Sequence, residues 1–276
     1  MHKKFLLAVI VKDENDYIEE FLRHHFDLGF TDVIIGDNND INGEHLEDVE
    51  YVKEKVEEGK IKIINIRGFS GIQKQFYNYV IDNEDYEWCA FIDVDEFIFL
   101  GKTPTEKGIT NIGDWLNEGY EKGIRAFKIN WHLYGDSGHI LKTEGGVVER
   151  FTEPCDVNVR NVHNILNNAH CKSILHKEIR NYFTESPHTV SGCSYFLPDY
   201  SSTDDTPYNT TVYYHIIEIR HYFTKSLQEY LDKKYRRGYA DMIGDKKDSY
   251  PISSYFLGNK ITDEKLAFIK KYDTEK

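Results

Sequence analysis

The 276-residue chain has only four cysteines, Cys89, Cys155, Cys171 and Cys193. None stands in a C-x-x-C pair or at zinc-ligand spacing, so neither a disulfide framework nor a zinc module is indicated, and a reducing cytosol suits the chain best. Positive charge is scarce as well: 34 Lys and Arg against 47 Asp and Glu leave a net charge of −13. Wrapping duplex nucleic acid depends on neutralising phosphates with Lys and Arg, so this balance argues against it. An anionic ligand would need local basic residues. Long hydrophobic runs are missing too. The N-terminal stretch "FLLAVIV", Phe5 to Val11, is too short to span a bilayer, lacks a small-residue cleavage site and ends in "KDEND". It reads as a first strand. No low-complexity tract or long internal repeat is visible, and no linker divides the chain.

What is present is enough apolar content for one large α/β domain over residues 1–276. After the first strand, Asn15 or Asp16 can cap a helix whose Tyr17, Ile18, Phe21, Leu22, His25 and Leu28 recur at helical spacing up to Gly29. "DVIIGD" predicts a strand, Glu44 to Glu58 a helix, "IKIINI" a strand, and Ile72, Phe76, Tyr79 and Val80 a third helix. "CAFIDVDEFIFL", Cys89 to Leu100, then reads as a fourth strand. This alternation implies right-handed crossovers and a parallel sheet, with ligands at the carboxyl ends of the strands. Beyond residue 100 the pattern loosens. "NIGDWLNEGY" predicts a short helix, "RAFKINWHLYG" a strand, Val147 to Ser194 several irregular strands, Thr211 to Phe223 a strand, and Ser226 to Arg236 and Asp263 to Tyr272 helices. Residues 1–100 form the nucleotide-type part, 101–225 a less regular part, and 226–276 C-terminal helices.

The fourth strand carries the chemistry. Asp93 and Asp95 alternate onto one face and Glu96 onto the other, so two like charges share a face and need a cation beside them. Two hard carboxylates at a strand tip can hold a divalent ion that also grips a diphosphate. Asp37, at the tip of the second strand, can accept from a base or ribose, and Gln73, Gln75 and Asn78 open the third helix with donors for a sugar or nucleotide. His139, His188 and His221 are candidates for a further metal ligand. The basic run "KKYRRG", Lys233 to Gly238, is either a solvated helix end or a neutraliser of diphosphate.

The order of short blocks resembles the glycosyltransferase family 92 proteins and neighbouring family-2-like transferases. It runs through "VKDENDYIEEFLRHHFDLGFTDVIIGDNND", "FIDVDEFI", "WHLYGDSGH", "VVERF", "KSI", "PH" and "IRHYFTKSLQEYLDKKYRRG", covering roughly Val11 to Gly238. The resemblance implies a GT-A fold: a Rossmann-like mixed sheet flanked by helices, joined to a less regular acceptor-binding half. It further implies a D-x-D motif dependent on Mn2+ (or Mg2+), in which Asp95 ligates the metal, Asp93 meets ribose or a metal-bound water, and Asp37 holds the base, usually uracil. The metal would then be the partner that makes the paired acids tolerable.

Inversion at the anomeric carbon is also implied, and it needs a general base. Glu149 is preferred and Asp136 is the alternative. His188, with His221 as its rival, would complete the metal site, and Lys172, Lys225 and Arg237 would contact diphosphate. The donor expected is a UDP-hexose, galactose being the first to try, and the acceptor a saccharide or lipid-linked saccharide. Since the blocks come without the membrane anchor and stem of animal and plant members, the resemblance points to a bacterial enzyme. It would act in the cytoplasm beside the inner membrane, in polysaccharide or lipopolysaccharide synthesis. Two other readings compete: an inactive carbohydrate-binding protein on the same fold, and a nucleotidyltransferase. The latter calls for a glycine-rich phosphate loop after strand one, which "VKDENDY" lacks.

Overall fold

A computed structural model describes residues 3–160, 165–238, 240 and 251–275. Its first part alternates as the sequence predicts: β1 (Phe5–Val11), α1 (Asn15–Leu28), β2 (Asp32–Asp37), α2 (Glu50–Glu57), β3 (Ile61–Asn65), α3 (Gln73–Asn83) and β4 (Trp88–Phe91). Then come β5 (Glu96–Leu100), α4 (Lys102–Glu106), α5 (Ile112–Glu121), β6 (Ala126–Leu133), α6 (Val147–Arg150) and β7 (Cys171–His176). The chain continues through β8 (Tyr195–Phe196), β9 (Ser202–Thr203), β10 (Ile217–His221), α7 (Leu227–Asp232), α8 (Ile252–Phe256) and α9 (Asp263–Glu275).

One mixed sheet runs in the order β3-β2-β1-β4-β7-β6-β10-β5, with β8 added to β6 and β9 to β8. β3, β2, β1 and β4 are mutually parallel, with Val11 of β1 opposite Asp37 of β2. β7 is antiparallel to both β4 and β6, and β5 is antiparallel to β10. β1 is buried on both faces, which is why it reads as an unbroken apolar run. Its alternate residues feed two cores: Leu7, Val9 and Val11 pack with Ile18, Phe21 and Leu22 of α1, whereas Leu6 and Ala8 pack with Phe76, Tyr77 and Val80 of α3. A third cluster, Leu227, Tyr230, Leu231 and Tyr255, joins α7 to α8. No helix among the described residues is long and apolar enough to cross a membrane.

Several elements differ from the sequence reading, each for a local reason. The stretch Cys89 to Leu100 is two strands, not one. Glu96 Oε2 accepts the Asp93 amide at 2.9 Å and the Glu96 amide donates to the Asp93 carbonyl at 3.0 Å, a tight turn in place of ladder bonds. β4 therefore stops at Phe91, and β5 lies at the far end of the strand order. α1 stops at Gly29 as expected, in the left-handed region at φ +108°, but its cap is Glu14 rather than Asn15 or Asp16. Asn15 instead donates its amide to Glu44 Oε2 at 3.0 Å. The helix expected over Glu44 to Glu58 is split, a 3-10 turn at Leu46–Asp48 preceding α2. Of the strands expected between Val147 and Ser194, the described residues contain β7, while Val147–Arg150 is helical. Only Ile217–His221 of the expected Thr211 to Phe223 strand pairs. α7 opens on a Ser226–Glu229 capping box and gives way to a π-helical turn, Lys233–Arg237.

Candidate active site at the Asp93-Val94-Asp95 turn

The turn leaving β4 brings both acids to cations from distant elements. Asp93 Oδ2 accepts from Lys172 Nζ on β7 at 2.6 Å, and its Oδ1 accepts from Gln73 Nε2 on α3 at 2.8 Å. The Lys172 side chain is 1% exposed and its ammonium also lies 3.5 Å from Glu96 Oε2. Asp95 Oδ2 accepts from Lys233 Nζ at 2.6 Å, and its Oδ1 is 3.4 Å from His221 Nε2. The sequence reading gave the neutralising role to a metal ion. In the structure each acid also has an ammonium partner, the buried Lys172 for the half-buried Asp93 and the partly buried Lys233 for the buried Asp95, which offsets their mutual repulsion.

Electrostatics follow from this pairing. Burial pushes the Asp93 carboxyl up, but Lys172 outweighs it and the net shift is downward. Burial likewise opposes ionisation of Asp95, yet Lys233 and His221 hold it well below the usual carboxylate range. Glu96 goes the other way: burial dominates and raises it well above its ordinary value. Its Oε1 is buried without a hydrogen-bond partner among the described residues. Burial pushes the Lys172 pKa down, but the Asp93 and Glu96 carboxyls more than offset that and hold it above the lysine range.

Other residues picked from the sequence are distributed unevenly around this turn. Asp37 ends β2 and is engaged by Arg67 Nε at 2.8 Å and by the amide and side chain of Asn39. Gln75 is exposed, whereas Gln73, two residues earlier, makes the contact to Asp93. Asn78 is a strut, exchanging hydrogen bonds with the backbone of Phe183. Lys172 is an internal ion-pair partner rather than an exposed diphosphate contact. Lys225 takes a left-handed backbone at φ +49°, with Nζ 3.9 Å from Glu14 Oε2 and 4.3 Å over the Tyr17 ring. A non-glycine residue held there is strain of the kind found at functional sites. The Arg237 side chain lies outside the described residues.

Asp136, the alternative to Glu149 as base, is held in a hydrogen-bond network. Its Oδ1 accepts the Gly138 amide at 2.9 Å, and its Oδ2 accepts from Tyr255 Oη and Lys265 Nζ. With both oxygens engaged and 5% exposure, it ties α8 and α9 to the loop after β6. Glu149 is exposed on α6, outside the ion pairs of the turn.

A second cluster was not singled out as a site from sequence. The Trp131 ring stacks on His170 at 4.7 Å and 18°, and also meets His221 at 4.4 Å and His188 at 5.2 Å. His188 Nδ1 is bonded to the Cys171 carbonyl at 2.9 Å. Burial, helped by His221 and Lys172, lowers His170 to about 4, and burial with Lys172 lowers His188 too. Two cavities are lined by partners of Asp95, one by Lys233 and one by His221. One of about 220 Å3 is lined by charged groups including Asp13, Glu14, Lys225, Glu229 and Lys233. The other, of about 310 Å3, is lined by Trp131, Tyr134, Cys155, His170, His221 and Ser254 among others. Phe223 and Thr224 line both.

A signal for Gln73 was present in the sequence: Gln73, Phe76, Tyr77 and Val80 follow i, i+3, i+4, i+7, which turns Gln73 inward. Lys233 had no comparable signal, being one of four basic residues in a short run.

The donors present fit a divalent cation only in part. Among the described residues no three His, Cys, Asp or Glu side chains are grouped to hold a metal by themselves. Asp95 Oδ1 and His221 Nε2 make a two-donor pair, and His221 Nδ1 is buried without a hydrogen-bond partner among the described residues. Hard cations are commonly held by one or two protein groups plus substrate phosphates. Asp95 and His221 are thus the residues that would hold one, once a diphosphate completed the shell.

No family model matches the chain, and no curated protein matches its sequence significantly. Among solved structures it is similar to S. aureus TarS 1–349, at 13% identity over 80% of this chain and 61% of that one, with a TM-score of 0.40. It is similar to the same TarS segment in complex with UDP-GlcNAc, at 15% identity over 66% of this chain and 48% of that one, TM-score 0.38. A third is the mannosyltransferase PcManGT from Pyrobaculum calidifontis in complex with GDP-Man and Mn2+, at 13% identity over 46% of this chain and 36% of that one, TM-score 0.34. The match spans 61% of the length of the first of these proteins and less of the other two. Any activity of this chain has to be read from its own side chains.

Proposed function

We propose that the chain is an inverting glycosyltransferase that moves a hexose from a nucleotide sugar, in the simplest case UDP-linked, to a saccharide acceptor. The observation that carries this reading is the Asp93-Val94-Asp95 turn. It sits at the carboxyl end of a parallel strand and is charge-paired, with Asp95 buried and Asp93 half-buried, and Lys233, the partner of Asp95, lines a cavity together with Lys225. In open α/β sheets this edge is where ligands bind.

In this reading the donor diphosphate faces Lys225 and Lys233, and Asp93 and Asp95 orient the ribose and the phosphates. A Mn2+ or Mg2+ ion bound by Asp95 and His221 would stabilise negative charge on the departing diphosphate. Lys233 supplies part of the same stabilisation without a metal, since an ammonium in a partly dry site is a strong electrostatic partner for a developing anion. The base stays assigned to Glu149, because Asp136 has no oxygen to spare. The sequence resemblance supports placing the enzyme in the cytoplasm beside the inner membrane, in polysaccharide or lipopolysaccharide synthesis, with galactose the first donor sugar to test.

Calorimetric titration with UDP, GDP and CDP, each with and without Mn2+, tests the reading. Binding of UDP strengthened by Mn2+ is expected. A folded protein that binds none of the three would turn the assignment toward a carbohydrate-binding protein without transfer activity. That second reading has one observation in its favour, the pairing of one oxygen of each acid with a lysine.

A further inference from the structure

The two cavities that meet at Phe223 and Thr224 differ in charge. The first is lined by Asp, Glu and Lys side chains. Among the described residues the second, of about 310 Å3, has no Asp, Glu, Lys or Arg in its lining. That volume is at the small end of the roughly 300–1,000 Å3 typical of small-molecule sites. Its walls are aromatic, from Trp131, Tyr134 and Phe223, with polar groups from Asn167, Thr224 and Ser254 between them.

Three nitrogens of lining residues, Trp131 Nε1, His170 Nδ1 and His221 Nδ1, are buried out of reach even of water and so lie behind the cavity surface. The lining itself combines aromatic rings with the uncharged polar groups of Asn167, Thr224 and Ser254. An acyl chain would leave those polar groups unpaired, and a phosphate or carboxylate would enter a wall with no charged side chain to receive it. A neutral sugar meets both demands, with an apolar ring face for the aromatics and hydroxyls for the polar groups.

We propose that the cavity between Trp131, His170 and Leu257 is a subsite for one uncharged saccharide unit, selecting neutral glycosides over acidic or phosphorylated ones. Its role as the acceptor subsite rests on the transferase reading, whereas its binding chemistry does not. His170, stacked on Trp131 and adjoining the cavity, is a positioning residue: it holds the indole plane against which the ring lies.

Trp131 also supplies the probe. The chain has three tryptophans, and the other two, Trp88 and Trp115, are each 1% exposed in the core. Intrinsic fluorescence of the full chain would be titrated with the methyl glycosides of glucose, galactose, mannose and N-acetylglucosamine, and in parallel with glucuronic acid and glucose 6-phosphate. A saturable change with at least one neutral glycoside is expected, at least tenfold tighter than with either charged sugar. Calorimetry should show that affinity lost in Trp131→Phe and reduced at least tenfold in Leu257→Phe, which narrows the cavity from its C-terminal side. Equal or tighter binding of a charged sugar overturns the proposal, as does neutral binding that survives both substitutions, or no response to any neutral glycoside from a folded protein. UDP titration of the same samples separates the two readings. UDP binding without glycoside binding sinks the subsite and leaves the transferase, and glycoside binding without any nucleotide does the reverse.

Discussion

Lys233 Nζ sits 2.6 Å from Asp95 Oδ2 across 138 residues of sequence. The contact joins the π-helical turn after α7 to the turn after β4, so the second acid of the pair is matched by a cation from the C-terminal part of the chain. π-Helical turns recur at functional sites, where the extra residue redirects a side chain.

Replacing Asp95 by Asn keeps the volume and removes the charge that Lys233 and His221 meet. Nucleotide affinity in the presence of Mn2+ is expected to fall by at least about tenfold, or about 1.4 kcal/mol, and the gain on adding Mn2+ should vanish. Calorimetry with UDP reads both. An unchanged Mn2+ response in Asp95→Asn would remove Asp95 from the proposed metal site.

Lys172 is a different case, because its ammonium is buried between Asp93 and Glu96. Lys172→Met leaves the half-buried Asp93 carboxylate without its ammonium and is expected to lower stability in urea unfolding by about 1–3 kcal/mol, the cost of a lost charge-assisted hydrogen bond where water still reaches the acid. Adding Asp93→Asn should return about 0.5–3 kcal/mol of that loss as coupling energy. Purely additive single and double variants would mean the pair contributes nothing beyond packing.

Asp136→Asn separates a structural acid from a catalytic one. Lys265 loses its counter-charge and Tyr255 keeps an acceptor, so the urea midpoint should drop while UDP affinity of the folded protein stays within about twofold, or roughly 0.4 kcal/mol. If stability holds and transfer is lost, Asp136 returns as the base.

Acid stability should depend on Glu229. Burial opposes its ionisation, but hydrogen bonds from Arg150, Ser226 and Tyr17 bring its carboxyl down from 4.5 to about 2 in the folded protein. A depressed folded value means the unfolded chain binds the proton more tightly. The stabilisation is therefore fully present above about pH 4.5 and is lost as pH falls toward 2. Urea midpoints measured across that window should fall more steeply for the native chain than for Glu229→Gln, and parallel curves would rule out this linkage.

Much of the first hundred residues was legible because each element there carries its own period. β1 is a continuous apolar run, α1 repeats at helical spacing to Gly29, and β2 and β3 are short apolar strands between turn residues. The acids at the strand tips were legible for the same reason. Their partners were not: Lys172 and Lys233 reach Asp93 and Asp95 over 79 and 138 residues, and no local pattern encodes such a meeting. The split of Cys89 to Leu100 was hidden because Phe91, Ile92 and Val94 look like strand residues whether the chain pairs or turns. β7 was obscured differently, since "CKSILH" places Lys172 and Ser173 at fully interior positions that a hydrophobicity pattern assigns to the surface.

The crossing from β4 to β5 makes the two carboxylates into a gauge. Asp93 is held by α3 and β7, next to the parallel strands, whereas Asp95 is held by β10 and the C-terminal turn, and the Tyr222 amide donates to its carbonyl at 2.8 Å. One residue, Val94, separates anchors on β7 and β10, two strands of the sheet with β6 between them. A shift of β10 and the C-terminal turn against β7 would register there, as a change in spacing between the two acids.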